Sequence, residues 1–366
     1  MYLEQLSLFN YRNIKNAEIE FNREITLFHG LNGQGKTNIL ESIYLLGNAR
    51  PFRASKIHEL IKHDQKAARI SGKIESSVIK NEISINIEAN LRKISIDGKP
   101  IQRAAELYGK LAVIVFSPDD TAMIKLGPES RRRYLDRALY TREAGFLKNY
   151  HEYYKTLKQR NMLLKQGKHP ALSEWNRQLA IYGQLLMSHR KAFIELLNPL
   201  LQKHYKMISG AKETVKILYR PDIEEQKHSA ENIELIFSEN QETDIKYGNT
   251  SRGPHKDDLV FLIDGRPLKS FGSQGQQRSY VLALKMAEMD CLEERFGEPP
   301  VLLLDDMASE LDKARISNLL EFITKQNVQT MITTTDKNSV DKQIMTKCST
   351  YLVKEGTLQY EGNSQP

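Results

Sequence analysis

Two groups of residues in this chain have the types and spacing to bind a nucleoside triphosphate and hydrolyse it. The first is Gly30-x4-Gly35-Lys36-Thr37, within GLNGQGKTNIL, residues 30–40. Glycines let backbone N–H groups curl around phosphate oxygens where a Cβ would clash. A helix running on from Thr37 aims the positive end of its dipole at the same phosphates. Lys36 can reach the β- and γ-phosphates, and the Thr37 hydroxyl can ligate Mg²⁺. Asn32, Gly33 and Asn38 complete the candidate ATP loop. The bland alternative is a chance match, and a strand before and a helix after count against it.

The second group is the acid pair ending VLLLDD, residues 301–306. A P-loop site draws its second metal ligand from the end of a buried strand. Asp305 is the candidate for Mg²⁺, with Thr37. Asp306 is the candidate for positioning the attacking water, which makes Lys36, Asp305 and Asp306 the catalytic set. Alone, two adjacent acids would read as a solvated loop. Four apolar residues before them, in a chain with a P-loop, favour the site.

These residues need a scaffold. Ile19, Phe21, Ile25 and Leu27 alternate as in a half-buried sheet, and residues 24–29 read as the strand feeding the loop. Ile39, Leu40, Ile43 and Leu46 line one face of the following helix. Ile83, Ile85, Ile87 and Ala89, then Ile94, Ile96 and Asp97-Gly98, predict an antiparallel meander with a tight turn. KLAVIVF, 110–116, suits a strand buried on both faces. After about residue 250, LVFLIDG reads as strand and turn, residues 275–296 as a helix, and VLLLDD and TMITTTD as further buried strands.

Between these halves the texture is helical. Leu172, Trp175, Leu179, Tyr182, Leu186, His189, Phe193, Leu196 and Leu200 alternate in spacings of 3 and 4, a heptad seam that Pro199 should bend or end. Phe146, Tyr150, Tyr153, Leu157 and Leu164 keep the same period, with Arg160 interrupting. Residues 130–200 therefore predict a helical hairpin, a short antiparallel coiled coil, with His189 a packed seam histidine. The expected organisation is an α/β head, residues 1–128 and 249–366, split by a helical insertion at 129–248.

The totals agree with an ordinary globular chain: 366 residues, 27% charged and 40% hydrophobic. No apolar run approaches the roughly 18 residues of a membrane span. The start, MYLEQLSLFNYRN, lacks the pattern of a secretory signal. Cys291 and Cys348 are far apart and in no metal-ligand spacing. A cytoplasmic protein is expected.

The net charge of +7 is unevenly placed. Residues 146–206 hold eleven Lys or Arg against three Asp or Glu, net +8, whereas 221–245 hold eight acids against Lys227. Neutralisation of phosphates by Lys and Arg is the sequence-independent part of DNA affinity. Lys148, Lys155, Lys158, Arg160, Lys165 and Lys168 are the candidate DNA contacts on the arm, with Arg50 and Arg53 of ARPFRASK as further candidates. The alternative is that the lysines merely solvate a coiled-coil face. The acidic segment could repel DNA or meet a protein partner.

FGSQGQQR, 271–278, resembles the signature motif of ABC-type ATPases: Ser273, Gly275 and Gln276 open a helix just before the VLLLDD strand. In such ATPases the signature engages the nucleotide of a second subunit. Ser309 and Asp312, in the stretch after the acid pair, resemble the D-loop crossing that dimer interface. With NYRNI (10–14), GLNGQGKTN (30–38), FSPDD (116–120), GPHKDD (253–258), GSQGQQR (272–278) and LLLDDMASELD (302–312), the chain resembles from end to end the RecF family of bacterial DNA repair proteins, relatives of the SMC heads. SMC proteins carry arms hundreds of residues long, which this chain cannot hold.

The resemblance implies a P-loop ABC-type head, ATP and Mg²⁺ as cofactors, and an ATP-dependent homodimer. It implies binding to double-stranded and gapped DNA near single-strand junctions, with release on hydrolysis. It implies work with RecO and RecR to load RecA onto single strands coated by SSB, in recombinational repair and replication-fork maintenance. Arg12 and Asn13 would flank the nucleotide. Three departures matter. Asp306 stands where most ABC-type ATPases have glutamate, which predicts slow turnover. TTTD, 333–336, replaces the switch histidine, so any γ-phosphate sensing falls to Thr335. FSPDD stands where the Q-loop glutamine is usual. Two other readings remain: an ATP-gated scaffold on DNA with incidental hydrolysis, and a transporter nucleotide-binding subunit, for which the basic arm has no purpose.

Overall fold

The computed structural model describes residues 1–53, 56–77, 79–89, 91–167, 170–210, 212–306, 313–337, 345 and 348–363. Strands β1 (Tyr2–Tyr11) and β2 (Ile14–Glu20) form a hairpin, and β3 (Ile25–His29) runs into helix α1 (Lys36–Asn48). Strands β4 (Ala67–Glu75), β5 (Lys80–Glu88), β6 (Leu91–Ile96) and β7 (Lys99–Pro100) follow, then β8 (Val113–Phe116). Helices α2 (Ala122–Lys125), α3 (Pro128–Arg142), α4 (Ala144–Leu164) and α5 (Leu172–Ser209) lead to β9 (Val215–Arg220). Next come α6 (Ala230–Glu239), α7 (Gln241–Tyr247), β10 (Asp258–Ile263), β11 (Arg266–Pro267) and α8 (Leu268–Phe271). Helix α9 (Gln274–Phe296), β12 (Val301–Leu304), α10 (Lys313–Lys325), β13 (Thr330–Thr334), β14 (Cys348–Lys354) and β15 (Thr357–Asn363) complete the chain.

Two compact units result: Met1–Thr121 with His204–Gly210 and Arg278–Pro366, and Ala122–Lys203 with Ala211–Gln277. The first unit holds two six-stranded sheets. One is antiparallel, in the order β2-β1-β4-β5-β6-β7, and its β5–β6 pairing and Asp97-Gly98 turn match the expected meander. The other, in the order β15-β14-β3-β13-β12-β8, is parallel except at its β15 edge. Every residue of β3, β8, β12 and β13 is buried, as short continuous apolar runs inside a parallel sheet require. The half-buried alternation expected through Ile25 and Leu27 is therefore corrected: β3 is covered on both faces. Helix α1 is likewise buried nearly all round, with Ile39, Leu40, Ile43 and Leu46 joined by Glu41, Ser42, Tyr44 and Leu45. It comes so close to the chain entering β8 that a Cβ on Gly47 would stand 2.7 Å from the Leu111 carbonyl.

The second unit contains a three-stranded sheet, β11-β10-β9, with α3, α4 and most of α5. The boundary expected after residue 248 falls inside it, because β9 and β10 pair along their length from Val215–Ile263 to Arg220–Asp258. The single hairpin expected over 130–200 is instead three helices, α3 being separate. Helix α5 also runs straight through Pro199 to Ser209. Leu197 and Leu201 are buried on either side of the proline, and Asn198 bonds both the N–H and the C=O of Ile217 on β9. These contacts hold the helix where the missing N–H would weaken it.

The seam of α5 also has a different phase. Leu172, Leu179, Leu186 and Phe193 are buried as expected, but Trp175, Tyr182, His189, Leu196 and Leu200 are only half-buried. Two further rows are buried: Asn176, Gly183, Arg190, Leu197 and His204, and the apolar Ala180, Met187, Ile194, Leu201 and Ile208. His189 sits at the rim, paired with Glu143 at 2.8 Å. Arg190 is the buried residue. It donates to both oxygens of Asp136 at 2.9 Å, to Asp257 at 2.8 Å and to the Pro254 carbonyl at 2.7 Å.

Candidate functional site

The C-terminal ends of β3, β13 and β12 lie side by side, which is where parallel α/β sheets bind ligands. The first supplies the phosphate loop. Gly30, Gly33 and Gly35 have φ of 145°, 78° and 114°. A Cβ on Gly30 would stand 2.3 Å from the Val353 carbonyl oxygen, so this position requires glycine. Asn13 ties the β1–β2 turn to the loop, donating to the Gln34 carbonyl at 2.9 Å and accepting from Asn38 at 2.8 Å. The Glu355-Gly356 turn holds the loop's other side, its two N–H groups donating to Gln34.

Lys36 is buried, its ammonium on the Gly30 and Leu31 carbonyls at 2.6 and 2.8 Å. Burial lowers its pKa, while the charges of Asp306 and Asp305 act to raise it. Asn32 and Gly33 are exposed at the loop's tip.

Asp305, from the end of β12, is 7% exposed. Its Oδ1 accepts from the Thr37 hydroxyl at 2.8 Å and from the Thr333 hydroxyl of β13 at 2.8 Å. Burial raises its pKa, against the pull of both hydroxyls and the positive charge of Arg53. Sequence reasoning missed Thr333, since a threonine in a β-rich run reads as strand propensity. Thr335, the expected switch residue, is exposed just beyond β13, two residues further on. Asp306 has φ of 49°, and its N–H donates to Thr333 Oγ1 at 2.9 Å, turning the chain sharply at the strand end.

A hydroxyl and a carboxylate are hard oxygen donors of the kind Mg²⁺ takes, with phosphate and water filling the remaining positions. The glycine cradle and Lys36 fit a triphosphate.

A second missed residue is Glu41 of α1, fully buried. Arg12 donates to it through Nε and Nη2, and its Oε1 accepts from the Arg53 backbone N–H at 3.1 Å. In place of the Q-loop glutamine, Asp120 accepts from Ser117 and pairs with buried Lys285 of α9 at 3.1 Å.

The signature residues open α9 in the second unit. The Ser273 N–H donates to the Gln276 side chain at 2.8 Å, and the Gln276 N–H to Ser273 Oγ at 3.2 Å. This is a capping box. Gln276 also reaches Glu213 at 3.0 Å, so local contacts occupy its side chain, while Ser273 is exposed and Gly275 half-buried. Ser309 and Asp312 of the expected D-loop lie outside the described residues.

The candidate DNA contacts divide. Lys148, Lys155 and Lys158 of α4 and its C-cap residue Lys165 are exposed, within about a 100° arc at 100° per residue. Lys168 lies outside the described residues. Arg160 is corrected: it is fully buried and bonds Asn176, Asp244 and Thr250, each at 2.7 Å. It can reach no phosphate. Arg50 and Arg53 are exposed.

The family model described as RecF/RecN/SMC N terminal domain matches residues 2–359. The chain is 52% identical over 368 residues to the DNA replication and repair protein RecF of Trichlorobacter lovleyi, covering 100% of both. It is 40% identical to the RecF of Geobacter sulfurreducens, covering 98% of this chain and 99% of that one. A solved chain of the recombination mediator protein RecF with ATP, in the RecFOR pathway, superposes with a TM-score of 0.90 at 33% identity, over 98% of this chain and 97% of that one. An Smc head bound to the C-winged helix domain of ScpA shares the fold, with a TM-score of 0.57 at 16% identity and coverage of 98% and 97%. The chain belongs to the RecF family, a branch of the SMC-type ATPase heads.

Proposed function

We propose that this chain is an ATP-dependent DNA-binding protein of replication and recombinational repair, with hydrolysis as the timer of its release from DNA. The observation that carries the reading is the convergence of Thr37 and Thr333 on Asp305 beside the phosphate loop. Mg²⁺ held there would neutralise charge on the β- and γ-phosphates. Lys36 binds the phosphates, Asp306 holds the attacking water, and Thr335 contacts the γ-phosphate. The shorter reach of aspartate compared with glutamate makes turnover slow, below about 10 per second, an ordinary enzyme rate.

Exposed Ser273 completes the nucleotide site of a second copy, so ATP clamps two chains together. The clamp binds double-stranded and gapped DNA, with the α4 lysines on its phosphates, and RecR with RecO meets it in the RecFOR pathway. The scaffold alternative keeps the clamp and makes hydrolysis incidental.

Light scattering with and without MgATP, on wild type and Ser273→Arg, tests the clamp: wild type should dimerise and the variant should not. Two monomeric samples would remove it. Retention on gapped DNA in ATP separates the timer from the scaffold: Asp306→Asn should stay longer than wild type, and equal residence favours the scaffold.

A further inference from the structure

The buried charge of Glu41 has no role in the phosphate loop itself, yet three segments meet on it. Arg12 of the β1–β2 turn donates through Nε at 3.0 Å and Nη2 at 2.7 Å, both to Oε2. The Tyr11 hydroxyl reaches the same oxygen at 3.3 Å, and the Arg53 backbone N–H reaches Oε1 at 3.1 Å. The Arg12 side chain is 23% exposed against 1% for Glu41, so the guanidinium stands between the buried carboxylate and solvent. Its third nitrogen, Nη1, makes no hydrogen bond among the described residues. Arg12 also holds φ of 54°, a left-handed conformation that a non-glycine residue keeps only when its surroundings fix it. The same turn is tied to the phosphate loop through Asn13.

We infer that Glu41 is a positioning residue of the ATP site: its carboxylate fixes the Arg12 guanidinium beside the phosphate loop, leaving one edge of it to bind the nucleotide. A forked guanidinium–carboxylate contact fixes direction as well as charge, which a lysine ammonium does not. The inference rests on the reading that Arg12 contacts nucleotide, and the two are separable.

The test is a double-mutant cycle read as equilibrium MgATP binding, with Arg12→Ala, Glu41→Gln and both together, alongside Arg12→Lys. Arg12→Ala should weaken binding about tenfold, a factor worth ~1.4 kcal/mol. Glu41→Gln should weaken it similarly, and the double variant should be no weaker than Arg12→Ala. Arg12→Lys should bind as poorly as Arg12→Ala. If Arg12→Ala binds like wild type, the nucleotide contact itself fails and takes the inference with it. If Arg12→Ala is weak but Glu41→Gln is not, or if the two losses multiply, Glu41 does not act through Arg12. Should Glu41→Gln fail to fold, Arg12→Lys decides: wild-type affinity there would show that charge alone suffices and would overturn the positioning role.

Discussion

The Thr37 hydroxyl donates to Oδ1 of Asp305 across 2.8 Å, though 268 residues separate the two in the chain. Asp305→Ala removes that acceptor, and with it the oxygen that would face Mg²⁺. Phosphate release at saturating MgATP should fall about 10²–10³-fold, the usual loss when one preorganised electrostatic group is removed. A variant keeping more than about a tenth of the wild-type rate would exclude Asp305 from that role.

The loop glycines should not be equivalent. Gly30→Ala forces a Cβ onto the Val353 carbonyl at 2.3 Å, whereas a Cβ on Gly33 meets nothing within 4 Å. Gly30→Ala should lower ATP affinity more than about a hundredfold, about 2.7 kcal/mol. Gly33→Ala should cost only the strain of its positive φ, about 1–2 kcal/mol. Calorimetric titration with MgATP distinguishes them, and equal losses would contradict the geometry.

On the arm, charge reversal at Lys148, Lys155, Lys158 and Lys165 should weaken binding to duplex DNA. Each lost phosphate contact should lower the salt slope by about 0.9. Arg160→Glu should act differently. It places a negative charge beside buried Asp244 and should destabilise the fold by about 3–5 kcal/mol, seen in thermal melts without DNA. Unchanged DNA affinity in the lysine variants would assign the stripe to something else.

His255 carries a pH signature. Burial lowers its pKa from 6.5 to about 4, and its ring bonds the Tyr153 hydroxyl and the Thr250 carbonyl. The folded state therefore holds the ring neutral, while the unfolded chain takes up a proton below 6.5. The stability contribution is fully present above pH 6.5 and is lost as pH falls to 4, to the extent of about 3 kcal/mol. Denaturant melts between pH 7 and 4 should show His255→Gln with a flatter profile than wild type. Parallel profiles would contradict the assignment.

The grouping of the candidate site was legible in part because its pattern is local: one loop carries Gly30, Lys36 and Thr37, and a buried apolar run ends at Asp305, whose side chain accepts from Thr37. Thr333 and Glu41 escaped because their partners come from distant segments, and a polar residue inside a strand or helix carries no periodic signal. The arm failed for a related reason. Four of the buried positions of α5 are Asn176, Gly183, Arg190 and His204, types that a search for apolar periodicity discards. The neighbouring row of Trp175, Tyr182 and Leu196 then filled the vacancy. Arg160 looked like an interruption when it was itself the buried residue, neutralised by Asp244 from another helix.

The strand order β3-β13-β12-β8 has a consequence for biosynthesis. The two strands made first are separated in the finished sheet by β13 and β12, which are made only after residue 300. Until residues beyond 300 emerge, β3 and β8 have open flanks, and the phosphate loop has neither Asp305 nor Val353 to shape it. The second unit, Ala122–Lys203 with Ala211–Gln277, must collapse while that gap stands open. Nucleotide affinity should thus appear abruptly near the end of translation, and a truncated nascent chain should be a client for chaperones.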